Sequence, residues 1–111
     1  MKKKICVFCS SSNAVADDLR KQATLLGQTI ASKGHTLVYG GATGGLMDAV
    51  AGGASEMKGE IVGVIPEIII HSNRLSLLPT QLIATTDMSE RKKRMRQEAD
   101  LFLVLPGSYG T

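Results

Sequence analysis

The sequence has no tryptophan and only two tyrosines and two phenylalanines in 111 residues. A binder of single-stranded nucleic acid needs aromatic faces on which bases can stack, so this scarcity argues against a nucleic-acid partner. No apolar run approaches the ~18 residues of a membrane span. The basic head, Met1 to Lys4, leads into an apolar stretch of only Ile5 to Cys9, shorter than the ~7–15 residues of a signal core. A cytoplasmic protein without a membrane partner is therefore expected. Cysteine is scarce as well. Cys6 and Cys9 form a C-x-x-C, but strand residues three apart point to opposite faces. No second Cys or His pair completes a zinc site. Both are read as small buried hydrophobes, with no metal and no cofactor expected. His35 and His71 lack partners at ligand spacing. Repeats, linkers and low-complexity tracts are missing too, so residues 1–111 read as one domain.

What the chain does have is glycine, twelve in all, and a mild positive charge of +3, which suits a phosphate-bearing partner without implying a nucleic acid. Lys4 to Cys9 is a β-branched strand. Val15, Leu19, Ala23, Leu26 and Ile30 recur at helical spacing, and Gly34 stops that helix. Thr36 to Tyr39 is a second strand, followed by a glycine-rich turn over residues 40–45. A second helix runs from Leu46 to Met57 and is closed by Gly59. Ile61 to Ile65 is a third strand ended by Pro66, with a short helical turn at Ile68 to His71. Gln81 to Thr85 is a fourth strand. Asp87 to Ala99 is a charged helix, with Asp87 and Glu90 at capping-box spacing. Leu101 to Leu105 is a fifth strand. Alternating strands and helices, with strands apolar on both faces, specify a parallel sheet. The expected fold is α/β: a Rossmann-like, doubly wound sheet in three α/β/α layers, ending here after its fifth strand.

In such a sheet the strands' carboxyl ends share one edge, where ligands bind. The unusual residues fall there. In YGGATGGLM, small residues let backbone amides approach an anion at a helix start, which makes Gly40, Gly41, Thr43 and Gly44 candidates. Glu67 follows the third strand. Pro106 to Thr111 repeats the pattern, with Gly107, Ser108, Tyr109, Gly110 and Thr111 as a second candidate phosphate loop. The first of these turns is neither a G-x-G-x-x-G nor a Walker loop. In SERKKRMR, cations crowd the first half of a helix, where they oppose its dipole. Such a local conflict points to a functional site, with a bound anion as compensation. Arg91 and Lys92 lie nearest the ligand edge. Lys93, Arg94 and Arg96 read as a solvated face, and Met88 and Met95 as core fillers.

Together these stretches resemble the LOG family of cytokinin riboside 5′-monophosphate phosphoribohydrolases, whose members are often labelled lysine decarboxylases. The hallmark segments read here Tyr39-Gly40-Gly41-Ala42-Thr43-Gly44-Gly45-Leu46-Met47, Met88-Ser89-Glu90-Arg91-Lys92 and Pro106-Gly107-Ser108-Tyr109-Gly110-Thr111. The opening ICVFCSSS and the segment VIPE are similar too. Ala42, Asp48 and Ser108 stand where the family commonly has glycine. The resemblance implies hydrolysis of the N-glycosidic bond of a nucleoside 5′-monophosphate, to free base and ribose 5-phosphate, by a homodimer. It makes Arg91 the catalytic arginine and gives Gly107, Ser108, Gly110 and Thr111 to the 5′-phosphate. Its catalytic glutamate would fall three residues beyond Thr111. The chain is therefore expected to be a piece of a longer domain, inactive alone. Two other readings use the same scaffold: a nucleotide or cofactor carrier similar to molybdenum-cofactor carriers, and a DNA-binding module of the DprA type.

Overall fold

The computed structural model describes residues 2–10 and 16–105. Nine elements follow one another: β1 (Lys4–Phe8), α1 (Asp17–Ser32), β2 (Thr36–Tyr39), α2 (Gly45–Glu56), β3 (Ile61–Pro66), α3 (Glu67–Ile70), β4 (Gln81–Thr85), α4 (Met88–Glu98) and β5 (Leu101–Val104). All strand pairings are parallel, in the order β4-β3-β2-β1-β5. The chain first steps outward from β1 to β4 and then crosses back to place β5 on the other side of β1. That reversal is the doubly wound feature expected from the alternating elements, and it puts a crevice outside the carboxyl end of β1.

The reversal also sorts the helices. α1 and α2 pack on each other and on one sheet face, around Ile5, Val7, Leu37, Tyr39 and Ile61. α4 covers the opposite face, where Cys6, Val38, Val62 and Val64 meet Met95. Cys9 belongs to the first cluster and Cys6 to the second, so the C-x-x-C thiols do diverge. Both are buried and unpaired by disulfide. β1, β2 and β3 are the inner strands and are almost wholly buried, but β4 is largely exposed and β5 exposed along its length. The expectation of strands buried on both faces thus holds at the centre of the sheet, not at its margins.

Local chemistry explains most element ends. Gly34 takes a φ of 80°, and its amide donates to the Ala31 carbonyl while that of His35 reaches Ile30, closing α1 as a glycine C′ residue does. α2 ends differently from expectation. The left-handed residue is Lys58, at φ 56°, and Gly59 instead gives room, since a Cβ there would crowd Ala31 of α1. Asp87 caps α4, its carboxylate accepting the Glu90 amide at 2.8 Å. The Glu90 carboxylate takes the Thr86 hydroxyl at 2.6 Å. Met88 is half exposed at the start of α4 and is no core filler, whereas Met95, two turns on, is buried.

The α1–α2 contact is tight enough to need glycine. A Cβ on Gly27 would run into the Val50 carbonyl. Gly27→Ala is expected to lower stability by about 1–3 kcal/mol, the usual cost of overpacking. At Gly52 a Cβ meets nothing within 4 Å, so Gly52→Ala should raise stability by about 0.5–1 kcal/mol. Urea denaturation reads both, and shifts of the same sign would contradict this packing. Burial also pushes the Cys6 and Cys9 thiols and the Tyr39 phenol up to about 12. The folded chain holds these protons where the unfolded chain begins to release them, near pH 9 for the thiols. Stability should therefore stay level up to about pH 9 with respect to these groups and fall as pH rises toward 12. Urea midpoints measured across that window test this, and a flat profile would refute it.

Candidate functional site

Arg91 lies in the first turn of α4, where its backbone amide donates to the Asp87 carbonyl. A cation there opposes the helix dipole. Its side chain resolves the conflict by leaving the helix surface for the sheet edge. Nε donates to the Val64 carbonyl at 2.9 Å, and Nη2 donates to the Gly40 carbonyl at 2.7 Å. The guanidinium is thus held by two backbone oxygens from adjacent strands, one just past β2 and one within β3. Each such charge-assisted bond contributes about 1.5–3 kcal/mol. Compensation expected from a bound anion comes at least in part from the protein itself. Burial lowers the Arg91 pKa from its ordinary value, and the positive charge of Arg74 pushes the same way. Arginine remains protonated all the same.

Gly40 is what allows this approach. A Cβ at that position would collide with Nη2 of Arg91 and crowd the Met47 methyl. The glycine is demanded by an arginine 51 residues away.

Arg91 forms one side of a hollow of about 160 Å³ at the carboxyl end of β1. Val7 and Phe8 contribute from β1 and Cys9 from just after it, Gly40 from just past β2, Met47 from the first turn of α2, and Met88, Arg91, Lys92 and Met95 from α4. The wall is mostly apolar, with cations on one side. Such a shape suits a molecule with a flat apolar end and an anionic end. Among the described residues, no group of three His, Cys, Asp or Glu side chains is placed to hold a metal ion.

Of the residues singled out in the sequence, the structure brings Gly40, Arg91 and Lys92 around this hollow. Gly41, Thr43 and Gly44 lie in the adjoining turn, and their surroundings differ from an open anion cradle. The Thr43 amide donates to the Arg74 carbonyl at 2.7 Å. The Gly44 amide donates to the Asp48 carboxylate at 2.7 Å, and the amides of Leu46 and Met47 share the Ser10 carbonyl. These donors are occupied within the chain. Glu67 is exposed at the start of α3 and does not line the hollow. Gly107, Ser108, Tyr109, Gly110 and Thr111 lie outside the described residues.

Residues 71–80, irregular in sequence, form a strap across the glycine turn. Ala42 bridges Leu75 in antiparallel fashion, and the Ser76 amide donates to the Gly41 carbonyl at 2.9 Å. The strap brings in Arg74, which sequence reasoning missed. No periodicity marks this segment, and a lone arginine in a polar stretch carries no signal. Met47 and Met88 were missed as site residues because methionine reads first as packing.

A family model described as the SLOG cluster4 family matches residues 2–111. Among curated proteins, the chain is 38% identical over 109 residues to cytokinin riboside 5′-monophosphate phosphoribohydrolase LOG5 of Arabidopsis thaliana, covering 98% of this chain and 48% of that protein. It is 36% identical to the LOG7 enzyme of the same name and organism, covering 98% and 50%. The chain spans about half the length of the curated relatives it matches. Among solved structures, the molybdenum cofactor carrier protein of Chlamydomonas reinhardtii superposes with a TM-score of 0.80 at 26% identity, over 95% of this chain and 63% of that one. The molybdenum cofactor binding protein of Rippkaea orientalis gives the same values.

The pairing of Gly40 with Arg91 can be tested directly. Gly40→Ala is expected to displace the guanidinium and cost about 1–3 kcal/mol, as overpacking does. In the Arg91→Ala background the added methyl meets only the flexible end of Met47, which can shift, so the penalty should largely vanish. A double-mutant cycle by urea denaturation measures this coupling, and additive effects would show that the two residues do not share one space.

Proposed function

This chain belongs to the SLOG cluster4 family, and from that premise we propose that the complete protein hydrolyses the N-glycosidic bond of a nucleoside 5′-monophosphate. The products are the free base and ribose 5-phosphate. The observation that carries the reading is Arg91, fixed by the Val64 and Gly40 carbonyls beside an apolar hollow at the point where the strand order reverses. The names of the curated relatives support the same activity.

In this reaction the bond between C1′ and the base nitrogen breaks, and its electron pair leaves with the base, which takes up a proton. Water adds its oxygen to C1′ and releases its own proton. Positive charge develops on the ribose during the step, so a carboxylate stabilises it and helps orient the water. By resemblance that carboxylate belongs to sequence following Thr111 in a longer chain. Arg91 contributes what an arginine held by two carbonyls can: remaining N–H donors in a fixed direction, toward the phosphoryl group or the ribose hydroxyls. Because its position is set before substrate arrives, little ordering is left to be done on binding. Lys92 adds a second cation at the hollow. The phosphate loop assigned by sequence, 107–111, and Glu67 remain part of the reading as substrate contacts. So do Gly41, Thr43 and Gly44, whose turn adjoins Gly40.

The resemblance further implies a homodimer acting on AMP or a cytokinin riboside 5′-monophosphate, and the sequence reading adds a cytoplasmic location and no cofactor. Among the described residues no helix is long and apolar enough to cross a membrane. A second reading has one observation in its favour. The superposable solved structures are named as a molybdenum cofactor carrier and a molybdenum cofactor binding protein, which supports a cofactor carrier on this scaffold, without turnover.

Incubation of the complete protein with AMP and isopentenyl-AMP, with assay of ribose 5-phosphate, separates the two. Release of ribose 5-phosphate is expected. Arg91→Ala should slow it by at least about 100-fold, the scale of losing one preorganised donor. Arg91→Lys should fail similarly, since one ammonium cannot span two carbonyls and still present a directed donor. Tight binding of a nucleotide without base release would favour the carrier, and unchanged release by Arg91→Ala would remove Arg91 from the mechanism.

A further inference from the structure

Met88 opens α4 and Arg91 follows three residues on, so the two side chains share one side of the first turn. Of the three guanidinium nitrogens of Arg91, Nε and Nη2 donate to backbone carbonyls at 2.9 and 2.7 Å. Nη1 donates to Sδ of Met88 at 3.7 Å. A thioether is a weak acceptor, so this arm of the arginine is the one held least.

Two carboxylates stand in the same stretch of chain, and neither takes that arm. The Asp87 carboxylate accepts the Glu90 amide at 2.8 Å, and that of Glu90 accepts the Thr86 hydroxyl at 2.6 Å. The other side chains of the hollow are those of Val7, Phe8, Cys9, Met47, Lys92 and Met95, and none of them carries an oxygen. One end of a charged group is therefore left at the wall of an apolar hollow with only a sulfur for a partner among the described residues. Met88 itself is 51% exposed, although it lines the hollow. Little packing holds it, and its side chain turns about three bonds, so it can swing aside at small cost.

We infer that Met88 is a positioning residue for the proposed reaction: its thioether is a placeholder on Nη1 of Arg91, displaced when an oxygen of the bound substrate takes that donor. This rests on the reading of a phosphate-bearing substrate given above. The guanidinium is planar, so the carbonyls that hold Nε and Nη2 also fix where Nη1 points. Sδ then marks the place of the substrate oxygen. A phosphoryl oxygen makes a stronger, charge-assisted bond there than sulfur does, and the exchange favours the substrate. An oxygen acceptor on residue 88 reverses that advantage, because the donor is then satisfied before the substrate arrives.

The test is calorimetric titration of the complete protein with ribose 5-phosphate, for the wild type, Met88→Gln and Met88→Leu, alongside ribose 5-phosphate release from AMP. Gln is close to Met in length and brings a carbonyl that Nη1 can hold. Met88→Gln should raise Kd about tenfold, the scale of one charge-assisted bond that the substrate must displace. Met88→Leu keeps the apolar wall without an acceptor, and its Kd should stay within about threefold of the wild type. In turnover the loss in the Gln variant should appear in KM with kcat nearly kept. The same variant should raise the urea midpoint when Arg91 is present and leave it unchanged in the Arg91→Ala background, since the new bond needs that donor. An unchanged Kd for Met88→Gln overturns the inference, and so does a Leu variant as weak as the Gln one. A midpoint shift that persists without Arg91 overturns it too, as does a wild type that fails to bind ribose 5-phosphate. A protein that shows the expected pattern in binding but releases no base leaves the placeholder standing and refutes the hydrolase reading instead.

Discussion

The guanidinium of Arg91, donating to the Val64 and Gly40 carbonyls, joins three elements that are distant in sequence. It ties the start of α4 to the residue after β2 and to Val64 within β3, and so fixes how the helix sits over its face of the sheet. Even a half-buried cation is costly unless its donors are satisfied. Here the satisfying groups are backbone oxygens at the sheet's carboxyl edge. The arrangement therefore depends on the strand ends being where they are, and on Gly40 having no side chain. The hollow beside it is a consequence: the side chain that would otherwise close the space has been drawn down to the backbone.

The glycine turn has a different part from the one its composition suggests. Clustered glycines before a helix are a usual sign of an anion cradle. In this chain the Asp48 carboxylate accepts the Gly44 amide, so a side chain of the helix itself occupies a position an anion could take. The strap takes the Thr43 amide, and the Ser10 carbonyl those of Leu46 and Met47. The turn then serves as a platform that presents one carbonyl to Arg91 and anchors Arg74 by another bond. At this edge the available positive charge is that of side chains, Arg91 and Lys92, because these amides are already taken.

The relatives fit such a platform in different ways. The curated proteins with the highest identity quoted are named as phosphoribohydrolases, while the solved structures that superpose at a TM-score of 0.80 are named for molybdenum cofactor. A scaffold can host either role, because chemistry resides in the site and not in the fold. In this chain Arg91, within Glu90-Arg91-Lys92, is held by the Val64 and Gly40 carbonyls, and the proposed hydrolysis rests on that contact.

By itself the sequence determined the order and type of the elements. β2 and β4 match their expected limits, and α1, α2 and α4 start and stop within two residues of them. Those properties follow from periodicity, capping and glycine stops, which act over a few residues. The divergence of Cys6 and Cys9 was legible for the same reason, as was the importance of Arg91, whose charge opposes its own helix. Tertiary structure alone decided where that charge is satisfied, that Lys58 and not Gly59 turns left-handed after α2, that Met88 stays at the surface, and that the strap crosses the glycine turn. Each of these depends on contacts between segments tens of residues apart. Local pattern carries no record of such contacts, because they exist only once the strands have paired and the chain has crossed back over the sheet.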